Sequence, residues 1–378
     1  MNKLLAFGAL MVLGGLLASV VAGCDSTAHS KGAARGANAA TWHRLPRAPF
    51  RLSAGLTSVW TGRELVVSGL TGVAPDGNVL DAVDAAEAYN PTTRSWRRLA
   101  RPPKTENYCH RSAVWTGKEM LVWGCGQLAL DPLTNLWRRL PPAPSGQGIV
   151  VWTGRELIGW GGGCCGDANA GGGAYNPVTN KWRRLARSPL APEQQPLGAW
   201  TGRELILFVS GRNPDGRLWP ARLARGAAYN PATDTWRRIA PLTAPRKGAS
   251  AVWDGRELLV VGGPTTASFA YNPATNRWRR LASMPFSRVG AASIWTGKRL
   301  LLWGGQTGRG ASARGGLAYD PKTGRWSRLP TAPLRGRDGS AVVWTGSRLL
   351  VWGGGASVCR PGCYTQWFAD GAGLALTR

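Results

Sequence analysis

Ser250-Ala251-Val252-Trp253-Asp254-Gly255-Arg256-Glu257-Leu258-Leu259-Val260-Val261-Gly262-Gly263, continued by Ala270-Tyr271-Asn272-Pro273-Ala274-Thr275-Asn276-Arg277-Trp278-Arg279-Arg280-Leu281, is the stretch that decides the fold. It predicts four short strands, over 250–253, 257–261, 270–272 and 278–281, punctuated by Gly and Asn-Pro turns. The first half-motif is elsewhere Trp-Thr-Gly. It is centred on Trp60, Trp115, Trp152, Trp200, Trp253, Trp295 and Trp344. The second half ends at Trp96, Trp137, Trp182, Trp236, Trp278 and Trp326, with an orphan copy at Trp42-His43-Arg44-Leu45. Successive first-half tryptophans stand 55, 37, 48, 53, 42 and 49 residues apart, which is the period of propeller blades. No stretch after the first 23 residues has a helical period, and 52 Gly with 26 Pro would break most candidate helices.

With its paired glycines after the second strand (Gly262-Gly263, Gly304-Gly305, Gly353-Gly354) and its Tyr-Asn-Pro-x-Thr-x-x-Trp turns, the chain resembles the kelch family of β-propellers over residues 42–378. The resemblance implies a ring of four-stranded blades, usually a binding platform and occasionally an enzyme. The chain opens on the second half-motif and closes on the first. A ring must join its two ends. If residues 42–46 supply the outer strand of the blade begun at Trp344, seven copies of each half give seven blades in one all-β domain.

Before the ring, Lys3 precedes an apolar run and then Val21-Ala22-Gly23-Cys24. This resembles the lipobox of bacterial lipoproteins and implies cleavage before Cys24, with acylation of its thiol. The expected organisation is a signal peptide at 1–23, a lipidated Cys24 with a flexible tether at 24–41, and the propeller at 42–378. A polar tether of this length spans roughly 20–25 Å. The expected location is extracytoplasmic, with the chain lipid-anchored to a bacterial membrane in the cell envelope. An oxidising compartment makes Cys109, Cys125, Cys164, Cys165, Cys359 and Cys363 disulfide candidates. Cys109 and Cys125 flank one hairpin turn, Cys359 and Cys363 close a short loop, and Cys164-Cys165 leave vicinal or distant pairing open. A metal at Cys109-His110 is the alternative. The chain has three histidines, of which His29 is in the tether, so no metal or cofactor is expected.

The formal charge is +27. The pairs Arg97-Arg98, Arg138-Arg139, Arg183-Arg184, Arg237-Arg238 and Arg279-Arg280, with Arg44 and Arg328, fall on the outermost strand. Turn arginines stand beside glutamates, as in Arg63-Glu64 and Arg155-Glu156, so the net charge is expected on a rim belt. Such a belt guards sheet edges and favours anionic envelope polymers or head groups. Nucleic acid would satisfy the same electrostatics, but export argues against it as a physiological partner.

Alternating strand directions put the constant turns on one face of the ring and the variable loops on the other. Variable loops on a rigid scaffold are where binding residues collect. Seven residues before each first-strand tryptophan stand Ser53, Tyr108, Ser145, Glu193, Arg246, Arg288 and Arg337. Tyr108, Glu193, Arg246, Arg288 and Arg337 are the candidate ligand residues. Three arginines at a funnel mouth would suit carboxylate or phosphate. The competing reading is that they hydrogen-bond neighbouring loops. The acidic loop with Asp76, Asp81, Asp84 and Glu87 lacks a calcium-loop pattern. Trp219, Tyr108 and Trp367 are candidates to stack on sugars.

No catalytic residues are assigned. Copper-radical oxidases resemble this fold but need two tyrosines and two histidines at the metal, whereas His43 lies in the closing strand and only His110 is well placed. The leading expectation is a binding or scaffold module for an envelope glycan, anionic ligand or protein. The alternative is a sugar-modifying enzyme, epimerase- or lyase-like, with Glu193 as its carboxylate.

Overall fold

Each Thr-Gly-x-Glu stretch folds as a four-residue hairpin turn held by its own side chain. Thr61 Oγ1 accepts the amides of Arg63 and Glu64 at 3.2 and 2.9 Å. Gly62 lies at φ 91°, and its six counterparts fall between 87° and 99°, where a Cβ is strained. The Asn-Pro-x-Thr turns are equally local. Asn90 Oδ1 accepts the amides of Thr92 and Thr93, and the fifth residue is left-handed at Arg94, Asn135, Asn180, Asp234, Asn276 and Gly324.

The computed structural model describes residues 40–73, 82–104, 111–124, 126–144, 148–163, 167–209, 224–243, 248–308, 310–359 and 363–376. Among them every regular element is an antiparallel strand, and there is no helix. Blade 1 is built by Thr57–Trp60, Leu65–Thr71, Val83–Asn90 and Ser95–Arg98. Blade 2 follows with Ser112–Trp115, Met120–Trp123, Leu128–Asp131 and Leu136–Arg139, and blade 3 with Ile149–Trp152, Leu157–Trp160, Gly172–Asn176 and Lys181–Arg184. Blade 4 takes Leu197–Trp200, Leu205–Val209, Ala224–Asn230 and Thr235–Leu242; blade 5 takes Ala249–Trp253, Leu258–Gly262, Ser268–Asn272 and Arg277–Leu281. Blade 6 is Ala292–Trp295, Leu300–Trp303, Gly316–Asp320 and Arg325–Arg328. In blade 7, Ala341–Trp344, Arg348–Trp352 and Gly371–Ala375 come from the end of the chain and Trp42–Arg44 from its start.

The innermost strands touch in blade order, and that of blade 7 touches that of blade 1. The architecture is a seven-bladed β-propeller. Its closure is the expected one: Trp42, His43 and Arg44 stand opposite Leu374, Gly373 and Ala372. One addition was not foreseen. Blade 7 carries a second hairpin, Gly355–Cys359 with Cys363–Trp367, between its second and third strands.

The core lies between blades. Second strands are covered on both faces, so they read as unbroken apolar runs; Leu258, Leu259, Val260 and Val261 are all 0% exposed. Each such side chain contributes roughly 1.5–3 kcal/mol. The outer-strand tryptophans latch neighbours together. Trp96 Nε1 donates to Pro46 O at 3.0 Å, and Trp42 Nε1 donates to Pro330 O at 2.8 Å. Trp137, Trp182, Trp236 and Trp326 repeat the bond to the connection leaving the preceding blade, and Trp278 makes it to Ala240 O near the end of the outer strand of blade 4.

The turn glutamates do not pair with the adjacent turn arginines, as their sequence spacing suggested. Each reaches instead to the first arginine of the outer strand: Glu64–Arg97, Glu119–Arg138, Glu156–Arg183, Glu204–Arg237 and Glu257–Arg279, at 2.6–2.8 Å. Four of these arginines continue into the next blade. Arg138 and Arg183 donate to the hydroxyls of Tyr175 and Tyr229 at 2.9 and 3.0 Å, and Arg237 and Arg279 bond Tyr271 and Tyr319. Tyr229 in turn donates to Asp234, and burial outweighs the Arg183 charge to push its phenol up to about 12. Strand alternation leaves the second arginine of each pair, Arg98, Arg139, Arg184, Arg238 and Arg280, exposed on the rim.

Candidate functional site

Of the positions seven residues before the inner-strand tryptophans, Glu193, Arg288 and Arg337 share a main-chain role. At each, the second glycine of one blade donates its amide to the carbonyl of this residue at the entry to the next. The distances are 2.8 Å for Gly162 to Glu193, 2.7 Å for Gly263 to Arg288 and 3.1 Å for Gly305 to Arg337. Side chains diverge from that shared backbone. Arg337 is fully buried and turns sideways. It donates to Arg335 O, Gly353 O and Asp370 O, pairs with Asp370 Oδ1 at 2.7 Å, and lies 4.3 Å from the centre of the Phe368 ring. Burial lowers its pKa, against the opposing hydrogen bond it donates to Asp370.

Arg288 lies over Phe286, which also receives Arg328 from the outer strand. Desolvation lowers its pKa as well. Glu193 is buried, its Oε1 3.4 Å from the Gln195 amide. Arg337 and Arg288 therefore anchor two different blade junctions and share no common partner among the described residues. Tyr108, Arg246 and Ser145 lie outside the described residues.

A cleft of about 620 Å³ opens on the same variable-loop face, where blades 6, 7 and 1 meet. Four separate segments supply its guanidinium groups. Arg47 and Arg51 come from the connection into blade 1, Arg314 from the second-to-third loop of blade 6, and Arg335 from the connection into blade 7. Arg44 joins them from the closing strand. The single carboxylate in the lining among the described residues, Asp370, is occupied by Arg337 and by Arg44 at 3.5 Å.

The extra hairpin of blade 7 forms the wall of the cleft. It contributes Gln366 and Trp367, with Phe368 just beyond, and these three with Arg51 also line an adjoining 390 Å³ cavity. Arg335 donates to Gln366 Oε1 at 3.3 Å. Trp367 packs so closely on Gly355 that a Cβ there would come within 2.9 Å of its ring, and its Nε1 is buried with no partner among the described residues. Cationic forks beside aromatic faces suit a planar anion carried on a ring-shaped ligand.

Other candidates sit elsewhere. Asp84 forms a buried ion pair with Arg111 of blade 2, and Glu87 accepts the Phe50 amide at 3.0 Å; Asp76, Asp81 and Trp219 lie outside the described residues. No cluster of three His, Cys, Asp or Glu side chains occurs among the described residues. Cys359 and Cys363 are cross-strand partners in register, though of their side chains nothing is described. Cys24, Cys109, Cys125, Cys164 and Cys165 lie outside the described residues.

No known family model matches this chain, and no curated protein matches it. Arg44 holds a repeat position, but Arg47, Arg51, Arg314 and Arg335 stand in connections and loops outside the repeated motifs, so the cleft escaped sequence reasoning. The available signal was the long Gly353–Asp370 interval of blade 7, with its tryptophan.

Proposed function

We propose that the protein is a kelch-type propeller lipoprotein, anchored through Cys24 outside the cytoplasm, that binds an acidic glycan of the cell envelope through the blade 6–7–1 cleft. The observation that carries this reading is the lining of that cleft among the described residues: five arginines from four segments, one carboxylate already paired, and Trp367 with Phe368 as aromatic walls. Glycan carboxylates or phosphates would meet the guanidinium forks, and sugar faces would meet the aromatic rings. The export motif supports an envelope ligand over nucleic acid. In an oxidising compartment the register of Cys359 with Cys363 suits a disulfide closing the hairpin tip, which would stiffen the wall carrying Trp367.

The test is equilibrium binding of the full chain to uronic-acid-containing and neutral oligosaccharides at about 150 mM salt, where screening removes loose electrostatics. The triple variant Arg47→Ala/Arg51→Ala/Arg314→Ala changes only exposed side chains. It is expected to bind the acidic glycan at least tenfold more weakly while melting like the parent. Equal affinity for neutral glycans, or unchanged binding by the variant, overturns the reading.

A further inference from the structure

The glutamate–arginine clamp is built at blades 1–5 and absent at blades 6 and 7, and the two absences differ. At the junction of blades 6 and 7 every participant has changed: Arg299 replaces the glutamate, Ser327 the arginine and Leu374 the receiving tyrosine. Arg299 there is paired with Asp320 at 3.5 Å. At the closing seam between blades 7 and 1 the tyrosine is kept. Around Tyr89, Arg348 stands in the glutamate position and His43 in the arginine position. Arg94, left-handed at φ 54°, stands where blades 3–5 place the Asn180, Asp234 and Asn276 that accept the tyrosine hydroxyl.

A cavity of about 740 Å³ opens there, among the constant turns and on the opposite face from the glycan cleft. Its lining includes His43, Arg63, Tyr89, Arg94, Thr345 and Arg348, with no carboxylate among the described residues. The Tyr89 ring is 3% exposed, and its hydroxyl makes no hydrogen bond to any described residue. Burial raises its pKa against the opposing charges of Arg94 and Arg348, so it remains a proton donor at neutral pH.

We propose that this seam is an anion site for a phosphate group, which supplies the negative charge that the clamp glutamate supplies at the other blades. Three guanidinium groups, an imidazole and a phenol reach the cavity from four directions, matching a tetrahedral oxyanion with several acceptor oxygens. The cavity is much larger than one phosphate, so the group arrives on a larger molecule, either a soluble phosphate ester or a phospholipid headgroup. The site is independent of the glycan reading, since Arg44, the one arginine bordering both, turns its Nη1 to Asp370 on the cleft side.

The decisive variant rebuilds the clamp: His43→Arg/Arg94→Asn/Arg348→Glu reproduces at the seam the Glu119, Arg138 and Asn180 that surround Tyr175 at the junction of blades 2 and 3, and should not impair folding. The full chain is titrated calorimetrically with glycerol phosphate at constant ionic strength. In parallel it is sedimented with vesicles of phosphatidylglycerol in phosphatidylcholine and of phosphatidylcholine alone. Saturable binding to the phosphate ester that falls at least tenfold in the rebuilt variant supports the site and identifies a soluble ligand. Binding confined to phosphatidylglycerol vesicles, and lost in the same variant, supports it with a headgroup as the source. Arg184→Glu, a rim change of equal net charge when His43 is neutral, should leave either binding intact, as should the cleft triple variant. No binding in either arm, an unchanged affinity in the rebuilt variant, or an equal loss in Arg184→Glu overturns the proposal.

Discussion

Arg337→Ala is the most discriminating stability variant, because sequence reasoning places this residue in a ligand site and the structure makes it an internal strut. The side chain is 0% exposed, donates four hydrogen bonds at 2.7–3.2 Å and covers the Phe368 ring. Breaking a buried ion pair typically costs about 3–5 kcal/mol. Here the loss is smaller, since every acceptor keeps a second partner or solvent. Gly353 O still accepts from Ser340 Oγ, Asp370 O from the Gly353 amide, and the Asp370 carboxylate from Arg44. What remains is a cavity beside Phe368 and the charge-assisted bonds themselves, together about 3 kcal/mol. With an unfolding entropy of about 2 cal/mol/K per residue, that is a melting temperature lowered by roughly 4 °C in scanning calorimetry of the full chain. Arg337→Met, which fills the space without a charge, should recover at least half of this loss. Arg288→Ala, which gives up one 3.3 Å bond and a ring contact, should cost less than half as much. An Arg337→Ala protein melting within 1 °C of the parent would refute the strut.

Glu87 sets a pH dependence. Burial pushes its carboxyl up to about 7, against the opposing Phe50 amide and Arg98, and Oε1 has no partner among the described residues. The stability it contributes is complete below its ordinary value near 4.5 and is lost as pH rises through about 7, so wild-type melting temperature should decline over that window. Glu87→Gln should flatten the decline; parallel curves for the two proteins would count against a neutral buried acid. Trp42→Ala removes a buried indole and its bond to Pro330, and should cost about 3–5 kcal/mol, read as the largest melting shift of any single latch residue. Glu156→Gln breaks a clamp whose partners are 22% and 36% exposed, so its cost should stay below about 1 kcal/mol; a larger shift would mean the clamps act as one network. Cys24→Ser should move the chain from the membrane fraction to the soluble fraction, and an unchanged distribution would argue against lipidation.

The ring was legible because its turns are local. Thr61, Gly62, Asn90 and the left-handed residue after it each satisfy their own backbone, so their spacing alone marks every hairpin. Blade count and closure followed from the orphan Trp42 copy, since an outer strand without its blade has only one place to pair. The candidate site was much less legible. Tyr108, Glu193, Arg246, Arg288 and Arg337 share a sequence offset, but what Glu193, Arg288 and Arg337 have in common is a carbonyl that accepts a glycine amide, and their side chains take different directions. Apart from Arg44, the cleft arginines come from non-repeating connections and loops, whose mutual approach no periodicity encodes. The turn charges were misassigned for a similar reason. Glu64 adjoins Arg63 in sequence, yet the pleat carries it toward Arg97 across the sheet. At the seam the relevant letters, Arg348 for Glu and His43 for Arg, were visible as departures from the repeat, but their convergence on Tyr89 required the closed ring.

Joining the two ends of the chain in one sheet also imposes an order in time. Trp42–Arg44 is synthesised before every other described strand, while its partner Gly371–Ala375 follows all of them. Until then blade 7 has no outer edge, and the Trp42 and Trp96 indoles cannot both be latched. Loop-closure entropy makes this the most expensive contact of the fold to establish. It follows that partial opening should begin there, with blades 2–5 still intact, and that a molecule held between His43, Arg94 and Arg348 would act as a clasp. Occupancy alone would then raise the barrier to opening, by an amount that grows with the logarithm of its concentration.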